Sequence, residues 1–288
     1  MVTSDCIRRD STLHAWYLAA AFSAAALALL AAWAFLVFLA FLASAATARA
    51  DDCLDYSQYF RWVGKAYTDG SATGLAVVGN FAYLTVYDDF DGDLNGLQIM
   101  DISDPAFPRL VGSVPTPGSA NNVFVTDGHA YIADGQGDLV VVDVSDPTAP
   151  VVVGSVAFPG YAYDVVVAAA HAYVAGPLGL TVIDVDDPTA TVVVGEYPTT
   201  VLAHGIAVAG GIAYLATHDI DGHPSRLYAI DVSNPAVPVL ASYLAMPSYA
   251  HGVEVAEGLA YVTTVAGLRV VDVTDPAAMI IVGEAATS

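Results

Sequence analysis

The chain has 288 residues, with 30 acidic against 8 basic side chains and a formal net charge of −22. That balance excludes a nucleic-acid-binding surface, which needs clustered Lys and Arg to neutralise phosphates, and it disfavours anionic lipid surfaces. It is compatible with a soluble acidic domain and with cation binding.

The first 50 residues stand apart. Arg8 and Arg9 form a short basic region, no residue from Ala15 to Ala46 is charged, and Ala48-Arg49-Ala50 supplies a small-x-small cleavage site ahead of Asp51-Asp52. The uncharged run is longer than the 7–15 or so apolar residues of a usual signal segment, and about 20 suffice to span a bilayer. Residues 1–50 therefore read as an N-terminal hydrophobic helix, either a cleaved signal peptide or a retained signal-anchor. In both cases the arginines stay inside and residues 51–288 are exported, to the periplasm, the cell surface or the medium. Contact with a membrane is expected through this segment alone. Cys6 belongs to it, which leaves Cys53 without an internal disulfide partner.

Beyond residue 51 the chain repeats itself. Phe60–Lys65 (FRWVGK) reads as one extra strand. Then an Ala-Tyr pair recurs at Tyr83, Tyr131, Tyr173, Tyr214 and Tyr261. An apolar-apolar-Asp-apolar run follows each, with its aspartate at Asp101, Asp143, Asp184, Asp231 and Asp272. A Val-Gly pair closes the repeats at Gly112, Gly154, Gly195 and Gly283; Leu240-Ala241 takes its place in the fourth. The repeats span about residues 73–114, 121–156, 163–197, 204–244 and 251–285.

Each repeat reads as four strands. In the second these are Asn122–Val125, Ala130–Ala133, Leu139–Val144 and Val151–Val156, rich in Val, Ile and Tyr and separated by Asp127-Gly128, Gly135-Gln136-Gly137 and Asp146-Pro147. The runs are nearly all apolar, so both sheet faces are covered. Four strands per repeat of about 40 residues is the arithmetic of an all-β β-propeller, here of five four-stranded blades. Either terminal strand, 60–65 or the last, can complete the final blade, and a partial propeller that lacks further blades is the alternative. The repeat aspartates are expected to accept hydrogen bonds from the next turn, and the tyrosines to fill space between blades.

Departures from the repeat mark candidate sites. In the first repeat an insertion runs Asp88-Asp89-Phe90-Asp91-Gly92-Asp93-Leu94-Asn95-Gly96. Alternating oxygens at Asp89, Asp91, Asp93 and Asn95 suit a hard cation such as calcium, although the distal bidentate Glu of an EF-hand is missing. In the fourth repeat His218-Asp219-Ile220-Asp221-Gly222-His223 occupies the same connection and reads as a surface loop, with a second cation site as the alternative. A further set lies ten residues before each anchor tyrosine: Thr73, Asn121, Tyr163, His204 and His251. Next to it come Gly74, Asn122, Asp164, Gly205 and Gly252. In a propeller these positions gather at one mouth of the channel. Asn121, Asn122, Asp164, His204 and His251 are thus candidates to hold a polar ligand or a metal, set against the alternative of a merely wet channel.

The segments Leu139–Pro150 (LVVVDVSDPTAP) and Leu180–Pro188 (LTVIDVDDP) resemble the LVIVD repeat. The resemblance covers roughly residues 60–288 in all five copies, with Asn234 in place of a turn aspartate and Met100 at the third apolar position. It implies a bacterial exported or surface β-propeller, and it implies no reaction, cofactor or catalytic residue. No nucleophile or phosphate-loop motif is present in the sequence. The expected function is a non-enzymatic binding or adhesion module at the cell surface, with a protein or carbohydrate ligand. The competing expectations are a hydrolase or lyase at the channel mouth and a purely structural extracellular repeat.

Overall fold

Among the described residues, Val, Ile and Tyr runs bounded by Asp-Gly and Asp-Pro turns fold as twenty strands. The computed structural model describes residues 63–87, 95–218 and 224–286. The expected N-terminal helix, Cys53, Asp89, Asp91 and Asp93 lie outside the described residues. The first sheet comprises β1 (Ser71–Val78), β2 (Phe81–Tyr87), β3 (Gly96–Asp101) and β4 (Arg109–Pro115). The second comprises β5 (Asn122–Thr126), β6 (His129–Ala133), β7 (Asp138–Asp143) and β8 (Val151–Ala157). The third comprises β9 (Asp164–Ala168), β10 (His171–Gly176), β11 (Gly179–Asp184) and β12 (Val192–Pro198). The fourth has β13 (Leu202–Ala209), β14 (Ile212–His218), β15 (Arg226–Asp231) and β16 (Val239–Ala245). The fifth has β17 (Ala250–Ala256), β18 (Leu259–Thr264), β19 (Gly267–Asp272) and β20 (Ile280–Ala286).

Each sheet is a four-stranded antiparallel meander in chain order. Five such sheets are consistent with a five-bladed propeller, blades 1 to 5. The last strand of blade 5 is C-terminal: β20 pairs with β19. Residues 63–65 of the expected extra strand lie in no strand.

The core lies between blades. Four apolar clusters join blade 1 to 2, 2 to 3, 3 to 4 and 4 to 5. In each, the anchor tyrosine of one blade packs on the apolar wall of the next. Tyr83, Tyr131, Tyr173 and Tyr214 are accordingly only 3–4% exposed. Burying one such ring stabilises the boundary by roughly 2–3 kcal/mol.

The repeat aspartates do what their recurrence implies. Asp101, Asp143, Asp184, Asp231 and Asp272 each accept the amide N–H two residues on, at 2.9–3.0 Å. These bonds, through the side chains and amides of the turns, hold Asp143, Asp231 and Asp272 below the usual carboxylate range, and Asp101, with Arg109 in addition, at about 2. His129 and His171 bond locally within their hairpins, to the carbonyls of Asp127 and Ala169.

The closing Val-Gly pair is a β-bulge. In blades 1, 2, 3 and 5 the register skips Val111, Val153, Val194 and Val282. The glycine after the bulge then abuts the next blade: a Cβ at Gly112, Gly154 or Gly195 would strike the carbonyl oxygen of Pro147, Pro188 or Pro235. In blade 4 the skipped residue is Ala241, so the pair equivalent to Val-Gly is Ala241-Ser242, one position later than the sequence suggested. Ser242 Oγ donates to the Pro276 carbonyl at 2.5 Å, replacing close packing by a hydrogen bond.

Candidate binding site at the channel mouth

The first strands of all five blades wall a central cavity of about 360 Å³, reached by Asn122, Asp164 and Gly252. The ten expected positions do lie along the beginnings of these strands, but they divide into two kinds.

In blades 1 to 3 the polar side chains bind the neighbouring blade. Thr73 Oγ1 donates to Ala120 O at 2.5 Å, and Asn121 Nδ2 to Ala162 O at 2.6 Å. Asn122 Nδ2 donates to Asp164 Oδ1, which also accepts the Val165 amide at 2.8 Å. Asp164 Oδ2 accepts the Ile206 amide of blade 4 at 2.9 Å. One carboxylate thus latches three blades. The residue keeps some exposed surface, yet its carboxyl group is enclosed, and desolvation pushes its pKa up against the lowering effect of these bonds. Its oxygens are directed at structural partners, and none of its hydrogen bonds is to His204 or His251.

In blades 4 and 5 the same positions are rebuilt by bulges, a feature shared with blade 1, whose register passes from Ala72 to Gly74. The β13–β14 register passes from Ala203 to Gly205, and the β17–β18 register from Ala250 to Gly252. His204 and His251 are therefore the extra residues, re-aimed out of the ladder. Gly205 follows because the next blade is close: a Cβ there would strike the His251 carbonyl.

The re-aimed imidazoles join an aromatic cluster. Tyr163 stacks on His204 at 4.4 Å between ring centroids, 16° from parallel, and Tyr161 lies 5.0 Å from Tyr163. His218, at the end of β14, stacks on Tyr249 at 4.4 Å and 4°. It stands 5.2 Å from His204 and 5.6 Å from His251, and His204 and His251 are 5.8 Å apart, edge to face. Sequence reasoning placed His218 in a loop and did not single out Tyr249. The register Leu202↔His218, which sets the end of one strand beside the start of its neighbour, is the signal that finds it.

Burial, reinforced by His218 and His251, pulls the His204 pKa down to about 4, so this imidazole is neutral at pH 7. His218 Nδ1 is buried with no hydrogen-bond partner. The rings stack or meet edge to face, and among the described residues no group of three His, Cys, Asp or Glu is arranged to hold a metal ion. Of the expected calcium loop, Asn95 is described: its carbonyl accepts the Thr116 amide at 3.1 Å.

The LVIVD repeat model matches residues 69–116, 117–157, 159–199, 202–244 and 247–287. Among solved structures, a functionally unknown protein from Desulfotomaculum acetoxidans is similar in fold, with a TM-score of 0.65 and 12% identity over 78% of this chain and 73% of that one. Saccharomyces cerevisiae Sqt1 gives a TM-score of 0.58 at 10% identity over 78% of this chain, which spans 64% of that protein. No curated protein matches. Five matched repeats, each coinciding with one four-stranded sheet, show that the chain belongs to the LVIVD repeat family.

Proposed function

We propose that the chain is a non-enzymatic, exported five-bladed β-propeller that binds a neutral carbohydrate at the channel mouth. One observation carries this reading: Tyr163, His204, His218, Tyr249 and His251 form a contiguous aromatic platform with an unpartnered nitrogen, His218 Nδ1, within it. Aromatic faces stack against the apolar C–H faces of sugar rings, and a buried imidazole nitrogen gains a hydrogen bond when a hydroxyl reaches it. A neutral His204 and a chain charge of −22 supply no attraction for a carboxylate or phosphate, which argues for an uncharged ligand. Export rests on the sequence of residues 1–50, and places the platform where extracellular or cell-wall glycans are met.

The test is calorimetric titration of the full chain, in detergent micelles at pH 7.5, with a panel of neutral oligosaccharides. At least one should bind, and Tyr249→Ala should weaken it tenfold or more, about 1.4 kcal/mol. No binding across the panel, or binding indifferent to Tyr249→Ala, would sink the proposal.

A further inference from the structure

The channel mouth lies where the first strands begin; a second cavity lies where two of them end. It measures about 390 Å³ and sits between the β5–β6 hairpin of blade 2 and the turns of blade 3. That size falls within the roughly 300–1,000 Å³ of small-molecule sites. Asp127, His129 and Tyr131 of blade 2 line it together with Ala169, Ala170 and Asp186 of blade 3.

One change in the repeat opens this space. Two positions before the anchor tyrosine, blades 1 and 4 carry Phe81 and Ile212, which pack against the apolar clusters of their boundaries. Blade 2 carries His129 there. Its Nδ1 bonds the Asp127 carbonyl of its own hairpin at 3.0 Å, and the ring supplies no apolar plug. A carbonyl only accepts, so in the neutral ring the proton is on Nδ1 and Nε2 is an acceptor.

Charge distinguishes this boundary from the next. His171 repeats the arrangement in blade 3, bonded to the Ala169 carbonyl at 2.8 Å. There, however, Ala169 and Ser233 stand in place of Asp127 and Asp186. At the cavity two carboxylates line one space from the two blades, and neither forms an ion pair with Lys or Arg among the described residues. Thr126 Oγ1 donates to one Asp127 oxygen at 3.1 Å. The charge of Asp127 also reaches the Tyr131 hydroxyl, whose pKa is raised first by burial and then by this carboxylate.

The same wall is strained. Each other hairpin between a first and a second strand has glycine at a left-handed turn position: Gly79, Gly128, Gly210 with Gly211, and Gly258. The β9–β10 turn has Ala169 and Ala170 instead, at φ 48° and 60°. Glycine would relax both positions, and alanine keeps two methyl groups on the cavity wall.

We propose that this cavity is a binding site for a primary alkylammonium ion. Asp127 and Asp186 balance its charge, His129 Nε2 accepts one of its N–H groups, and the alanine methyls lie along its alkyl chain. The same carboxylates repel an anion. A neutral alcohol forgoes the charge-assisted hydrogen bonds, which are about twice as strong as neutral ones. The site is separate from the aromatic platform and does not rest on the carbohydrate reading.

The probe is n-butylammonium chloride, titrated onto the full chain in micelles of an uncharged detergent at pH 7.5 and followed by saturation-transfer NMR. Saturable binding is expected, about tenfold or more tighter than that of n-butanol. Asp127→Asn and Asp186→Asn, both at exposed positions, should each weaken it by about threefold or more, and together abolish it. His129→Phe installs the plug of blade 1, and should abolish binding without lowering the melting temperature. Tyr249→Ala should leave n-butylammonium binding unchanged, so this site and the platform fail separately. Circular dichroism checks that each variant folds. No saturable binding, or binding no tighter than that of n-butanol, overturns the inference. So does binding that salt removes and both Asn variants leave intact, since that is a diffuse attraction of cations to an acidic chain.

Discussion

Blades 2 and 3 begin their first strands with Asn122 and Asp164 in regular pairing; blades 4 and 5 begin theirs with a bulged histidine followed by glycine. In the first pair, polar capacity goes into neighbouring blades, and Asp164 alone joins three of them. In the second pair, Gly205 lets its strand approach the next closely and the bulges turn His204 and His251 toward one another. The latch residues Asn122 and Asp164 stand where blades 4 and 5 have Gly205 and Gly252, and the platform histidines stand one position earlier.

The largest way to break this contrast is to remove the latch. Asp164→Ala leaves the Asn122 amide and the Ile206 N–H without their acceptor, and should lower unfolding free energy by about 3 kcal/mol in urea titration. Asp164→Asn should cost less, because one oxygen remains. If Asp164→Ala is within experimental error of the parent, the latch is not structural and the two halves are alike.

Acid should act on the platform next. His204 is held at about 4, below its ordinary value, so between roughly pH 6.5 and 4 the unfolded chain binds a proton that the folded chain resists. Stability is full above that window and falls as pH drops through it, by about 1–2 kcal/mol after solvent screening. Asp164, whose pKa is raised, runs the other way, contributing most at low pH and less as pH rises through its folded value. Comparing His204→Phe with the parent across this range isolates the histidine, and the variant should show a flatter profile. The smallest effect is expected at blade 1, which has the bulge without the imidazole. Thr73→Val removes the hydroxyl that bonds Ala120 O and the buried Thr85, and should cost about 1 kcal/mol by thermal melting.

The repeat was legible because its anchors are periodic and each has one physical job. Tyr131 fills a boundary, Asp143 caps a turn, and Gly154 lies where a side chain has no room. The strands read for the second repeat match β5 to β8 within a residue at each end. The strand expected at 60–65 went unrealised at residues 63–65 for lack of a pairing partner, which no local pattern reveals. Ala241-Ser242 was misregistered by one because a hydrogen bond there replaces the glycine that marks the bulge elsewhere. At the mouth, the sequence showed which residues gather but not what they would do. Asn121, Asn122 and Asp164 look as ligand-like as His204 until their bonds to adjacent blades are traced. His218 and Tyr249 enter the platform through strand register and ring stacking, neither of which the spacing of the repeats encodes.

The glycine-on-proline contact joins blade 1 to 2, 2 to 3 and 3 to 4, through residues about 35 positions apart, as with Gly112 and Pro147, and the Ser242–Pro276 hydrogen bond joins 4 to 5. Load therefore passes along the molecule from one unit to the next, with no strap tying distant units together among the described residues. Among the described residues, blade 5 is held through its boundary with blade 4. Under tension the units would release one at a time, each lengthening the chain by about 150 Å as its strands are drawn straight.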